Sequence, residues 1–143
     1  MPVATRFLFI LLLQVVSHLS VQSPLGKNHL QVIAMRGVDY KKLFDRGYRV
    51  LQYKSNVAND PRFGNYTASE LIYFENDTCI KDITILPGNQ MDSYVDSFNY
   101  QFKPAGHNSW IGPDSSYISV SIRDGLLDIT AFSSAFYKKI SEH

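Results

Sequence analysis

The chain has 143 residues, 14 Lys plus Arg against 13 Asp plus Glu, and a single cysteine, Cys79. That balance offers no basic excess for nucleic acid and no acidic tail for a charged partner. One thiol cannot close an internal disulfide, so the fold must stand on packing or link Cys79 to a second chain.

From the N-terminus, Arg6 precedes an apolar run, Phe7 to Leu13, that continues through Val15 and Val16. It covers about half of the ~20 residues a membrane-spanning helix needs and reads as a secretory signal peptide. Ser17, Ser20 and Ser23 are small residues suited to cleavage, which places the mature start between His18 and Pro24. We take residues 1–22 as the leader and 23–143 as one domain, exported, soluble and without a membrane partner.

Asp39 to Gly47 carries the signals of a short helix: Asp39 as N-cap, Tyr40, Leu43 and Phe44 on one face, and Gly47 as terminator. From Tyr48 the rhythm changes to period two. The expected strands are Tyr48 to Lys54, Ser69 to Glu75, Cys79 to Leu86, Ser97 to Lys103, Ser116 to Arg123 and Leu126 to Phe132. Asp124-Gly125 is a strong two-residue hairpin signal because both central residues of a type I′ turn need positive φ, and Asn76-Asp77 is a weaker form of it. Pro87-Gly88-Asn89 and Pro104 to Asn108 read as loops, and Ser133 to Ile140 as a short final helix. Successive hairpins make an up-and-down antiparallel meander, which removes its edges by closing into a barrel. The expected class is therefore all-β with short helices, a small barrel with room for one ligand.

Catalytic signatures are missing from the sequence. His18, His29, His107 and His143 lie far apart without metal-ligand spacing, there is no Gly-x-Ser-x-Gly elbow or phosphate loop, and Cys79 has no activating motif. The chain is read as a non-enzyme that needs no cofactor or metal. Asn65-Tyr66-Thr67 and Asn76-Asp77-Thr78 are glycosylation sequons, which place Asn65 and Asn76 at a solvent-facing surface of a secreted glycoprotein. Cys79 is read as a thiol packed on a strand, with a Cys79-linked dimer as the other possibility to a monomer. Nine Tyr, nine Phe and one Trp suit either a β-rich core or the lining of a pocket.

The block Asn59-Asp60-Pro61-Arg62-Phe63-Gly64 follows a Tyr-rich strand and Asp39-Tyr40-Lys41-Lys42-Leu43. In this setting it resembles the first strand and following turn of tick salivary lipocalins, the histamine-binding-protein family. Asp124-Gly125-Leu126-Leu127-Asp128-Ile129-Thr130-Ala131-Phe132 resembles that family's later hairpin. The resemblance spans most of the mature chain and is sharpest in these two patches. It implies an eight-stranded antiparallel lipocalin barrel, secreted in saliva, that sequesters small host mediators to suppress inflammation. The mediators would be biogenic amines such as histamine or serotonin, or lipid eicosanoids. By matching position, Asp60 would contact an amine, Phe63 would form an aromatic wall, and Asp128 would be a second acidic contact. Tyr53 and Tyr117 are looser matches in the same ligand-binding set.

Three departures stand beside the match. The family carries several cysteines in disulfides where this chain has Cys79, a further acidic pocket residue has no match around Gln101 to Lys103, and the chain stops at His143, which implies a shortened barrel with an open edge. Asp60 before Pro61 is also ordinary turn chemistry, and Asp128 could equally face solvent. A reading from another class is a secreted, glycosylated β-sandwich that binds a host protein through its surface.

Overall fold

The computed structural model describes residues 23–142, so the leader expected over residues 1–22 lies outside the described residues. The first described element is α1 (His29–Arg36). Asn28 caps it: its Oδ1 accepts from Gln31 N at 2.9 Å, and Gln31 Oε1 accepts from Asn28 N at 2.9 Å. This reciprocal capping box satisfies two of the otherwise orphaned first-turn donors. Gly37, at φ 95°, follows the last turn.

The helix expected over Asp39 to Gly47 is instead a strand, β1 (Lys41–Asp45), paired antiparallel with β2 (Tyr48–Asp60), Leu43 opposite Val50. Arg46 and Gly47 stand at φ 51° and 87° and make the two-residue turn between them. A glycine at positive φ serves a helix C-terminus and a type I′ turn equally well, so its presence does not choose between them. Sheet pairing along β2 decides the matter, because so short a helix is marginal without strong tertiary support.

β3 (Gly64–Glu75) and β4 (Thr78–Pro87) follow, joined by Asn76 and Asp77 at φ 49° and 59°. After a 3-10 turn at Gly88–Gln90 comes α2 (Met91–Gln101). Most of the strand expected over Ser97 to Lys103 is thus helix. Phe98, Tyr100 and Phe102 alternate like a strand, but Tyr94, Phe98 and Phe102 recur at helical spacing, and it is this second series whose rings touch, 6.0 and 5.4 Å between centroids. β5 (Lys103–Gly106) and β6 (Ser109–Ile111) are short strands in and beside the region read as a loop. A 3-10 turn at Pro113–Ser115 leads to β7 (Tyr117–Arg123) and β8 (Leu126–Phe132), whose Asp124-Gly125 turn has φ 52° and 76° as its hairpin signal predicts. The final helix, α3 (Ser134–Ser141), lies where it was expected.

The eight strands form one antiparallel sheet in the order β1-β2-β3-β4-β8-β7-β6-β5. The all-β expectation holds in this coarse form, but the order is not a continuous meander. β4 neighbours β8, not β5, because α2 carries the chain from β4 to the far edge before the second run of hairpins returns. Among the described residues β1 and β5 are the two edges, unpaired with each other, so the sheet is not closed. Pro104 sits in β5, where its missing N–H costs no ladder bond on an edge.

One face of the sheet, here the front, is covered by α1 and α2. Val32 of α1 packs with Leu51, Ile72, Phe74 and Cys79, and Phe98 of α2 packs with Leu86, Trp110, Ile118, Leu127 and Ile129. On the back face Phe136 of α3 packs against Val50, Tyr73 and Ile80.

Candidate functional site

Polar side chains interrupt the front face in two places. At the β2–β3 turn, Asp60 Oδ1 accepts from Arg62 N at 2.8 Å and Phe63 N at 2.9 Å, and Asn65 Oδ1 accepts from Asn59 N at 2.7 Å. Asp60 therefore performs the turn role that its place before Pro61 suggests. The half-buried Phe63 ring carries the Arg62 guanidinium 5.3 Å from its centroid. The charge of Asp60 is also felt by two phenols of the front face. Burial first, and then its negative charge, push the Tyr66 phenol up; burial, Tyr66 and Asp60 do the same to Tyr94. Gln90, 1 % exposed, lies close enough to Tyr66 to pull the opposite way, while its Nε2 has no hydrogen-bond partner among the described residues.

Farther along the same face, Tyr53 on β2 stands opposite Glu70 on β3, and Asp82 on β4 stands diagonal to Glu70, opposite Ile72. Arg36, at the end of α1, grips Glu70 with both arms: Nε to Oε1 at 2.7 Å and Nη2 to Oε2 at 3.2 Å. A forked pair of this kind is the strong form of the contact. Asp82 is 2 % exposed and its Oδ1 has no hydrogen-bond partner among the described residues. Burial is the largest influence holding its carboxyl well above the usual range; the charge of Glu70 and a hydrogen bond with it add to this, while Arg36 opposes. Tyr53 donates to Gly37 O at 2.9 Å, and its ring lies 5.7 Å from that of Tyr40. Its phenol is raised by burial, then by Tyr40 and Glu70, against Arg36.

The five expected ligand residues do not come together. Tyr53 is on the front face, and Asp60 and Phe63 are at its β2–β3 end. Tyr117 and Asp128 lie on the back. Alternation requires this: Leu127, Ile129 and Ala131 are buried in the front core, so Asp128 between them must point the other way. There Asp128 Oδ2 meets Arg123 Nε at 3.1 Å while Oδ1 is buried without a partner among the described residues, and Tyr117 stacks on Tyr137 at 4.0 Å. Nearby, Tyr73 donates to Asp45 Oδ2 at 2.7 Å; burial and that carboxylate push its phenol up to about 12.

Sequence reasoning missed Glu70, Asp82, Arg36, Tyr66, Gln90 and Tyr94. Glu70 had a signal, since it shares period two with Ile72 and Phe74. Asp82 had none, because its phase depends on a bulge. Among the described residues no cluster of three or more His, Cys, Asp or Glu could hold a metal ion.

Asn65, one residue into β3, and Asn76, in the β3–β4 turn, are both exposed. Cys79 is 0 % exposed, as a packed strand thiol should be, and burial, then Asp82, push its pKa upward. A thiol reagent should leave Cys79 unmodified in the native protein and label it fully in denaturant. Rapid native labelling, or a dimer that appears only without reductant, would contradict this packing.

No protein-family model, curated protein or solved structure matches this chain.

Proposed function

We propose that this chain is a secreted, lipocalin-like capture protein that binds one small protonated amine, of the histamine or serotonin class, on its front face and holds it without turnover. The observation that carries the reading is Asp82, a buried carboxyl group whose Oδ1 has no partner among the described residues, beside Glu70 and one strand removed from Tyr53. A buried acceptor left without a donor costs about 1–3 kcal/mol. An ammonium group supplies both the donor and the charge, and tyrosine rings around it add cation–π attraction.

Asp60, through its charge at Tyr66 and Tyr94, extends the same acidic character to the β2–β3 end of the face. Lipid mediators fit less well, because a fatty carboxylate needs a cation and Arg36 is already forked onto Glu70. The reading does not require the sheet to close, since the ligand would lie between sheet and helices. Capture of such mediators in saliva would suppress host inflammation, as the lipocalin resemblance implies.

Calorimetric titration with histamine, serotonin and a leukotriene tests this directly. Saturable one-to-one binding of an amine, with the leukotriene weaker, is expected. No heat from any amine on folded protein would remove the proposal.

A further inference from the structure

At the opposite end of the sheet from the Asp60 turn, a cavity of about 410 Å³ lies between the segment before α1, the start of β4, the Pro113–Ser115 turn and the first turn of α3. We propose that this cavity is a second binding site, for a phosphate or sulfate monoester of a small hydroxylated molecule. It is independent of the amine reading, because it shares no residue with the groups on which that reading rests.

The donors come from three elements. Ser133 caps α3: its Oγ accepts from Phe136 N at 3.3 Å and its carbonyl from Tyr137 N at 2.9 Å. The amides of the next two residues, Ser134 and Ala135, have no acceptor among the described residues, and both residues line the cavity. A helix start presents free N–H groups and partial positive charge, which together attract anions.

The second observation is Ser116. It lines the same cavity though only 5 % exposed, and both of its backbone groups are used: N to Pro113 O at 3.0 Å, and O from Gly112 N at 2.8 Å. Among the described residues its Oγ makes no hydrogen bond. Such a hydroxyl can donate to an oxyanion that enters the cavity. Lys27, on the wall leading to α1, supplies a full positive charge.

Asp114, on the Pro113–Ser115 turn, also lines the cavity and is exposed. Its carboxylate disfavours an anion on its own side, so the oxyanion belongs at the α3 side. Asp114 is then placed to accept hydrogen bonds from hydroxyl groups on the remainder of the ligand. The volume suits this, being larger than one phosphate group needs.

The test uses backbone amide NMR of the full folded protein titrated with glycerol phosphate, inorganic phosphate and sulfate. Saturable shifts of the Ser134 and Ala135 amides are expected, strongest for glycerol phosphate. Ser134→Pro deletes one N–H donor at the first helical position, where proline is tolerated, and should weaken binding ~10-fold; Ser116→Ala should weaken it ~5-fold. If Ser134→Pro fails to fold, Ser116→Ala and Lys27→Ala carry the test. Vesicles containing phosphatidate form a separate arm: cosedimentation lost in Ser116→Ala, with glycerol phosphate silent, would keep the oxyanion site and assign its source to a lipid headgroup. Silence in all arms, or binding that these variants leave unchanged, overturns the proposal.

Discussion

Phe98→Ala should destabilise the fold by about 3–5 kcal/mol, the usual range for removing a fully buried aromatic ring. Phe98 is the residue through which α2 is anchored: it is 0 % exposed and its ring lies 5.3 Å from Trp110, 5.4 Å from Phe102 and 6.0 Å from Tyr94. Those rings are themselves held by strands or by the helix backbone. Trp110, for example, is fixed by Nε1 donating to Asn99 Oδ1 at 2.9 Å, so the space left by alanine cannot collapse. Because a domain of this size is stable by only about 5–15 kcal/mol, the variant should unfold at much lower denaturant than wild type. Tyr100, two residues away and 92 % exposed, is the control: Tyr100→Ala should change stability by less than about 0.5 kcal/mol. Equal midpoints in urea for the two variants would show that α2 is not anchored as described.

Asp82→Asn should weaken amine capture by ~10- to 100-fold at pH 8, equivalent to losing a charged hydrogen bond of about 1.5–3 kcal/mol, and should leave a neutral ligand nearly untouched. The pH dependence makes the experiment sharper. Burial and Glu70 hold the Asp82 proton well above the ordinary carboxylate range, so an incoming ammonium group must displace it. Affinity in the wild type should therefore rise with pH until the carboxyl is ionised in the free protein, while the amine stays protonated to about pH 10. The variant should show no such rise.

Stability of the empty protein runs the other way. With the folded-state pKa above the unfolded value of about 3.9, the folded chain binds the proton more tightly. The resulting stabilisation is fully present below pH ~4 and is lost as pH rises through the raised value. Asp82→Asn should remove this slope and be the more stable form at alkaline pH. A variant that binds amine as wild type does, with the same pH profile, would move the amine away from Asp82.

The resemblance-based set divides for a reason visible in the strand itself. Leu127, Ile129 and Ala131 declare one face of β8 apolar, and that alone assigns Asp128 and Thr130 to the other. Asp60 was rightly placed at a turn, but the neighbours that its charge reaches, Tyr66 on β3 and Tyr94 on α2, come together only when α2 crosses the sheet. On β4 the obstacle is a bulge. The pairing moves from Tyr73 with Lys81 to Phe74 with Cys79, leaving Ile80 as the extra residue. Cys79 and Asp82 thereby share the front face although three positions apart, a spacing that period two forbids.

What the sequence determined by itself was local. Asp124-Gly125 and Asn76-Asp77 fixed two hairpins because few residues accept positive φ; alternation marked Tyr48 to Lys54, Ser69 to Glu75 and Ser116 to Phe132, though β2 runs on to Asp60 and β3 begins at Gly64; and Ser133 to Ile140 formed its helix. Only the tertiary structure decided that Lys41 to Asp45 would pair as a strand, that Ser97 to Gln101 would be helical, and that β4 would neighbour β8. Those outcomes turn on which partner buries Leu43, Phe98 and Leu127, and burial against a distant segment leaves no mark in the spacing of a segment's own residues.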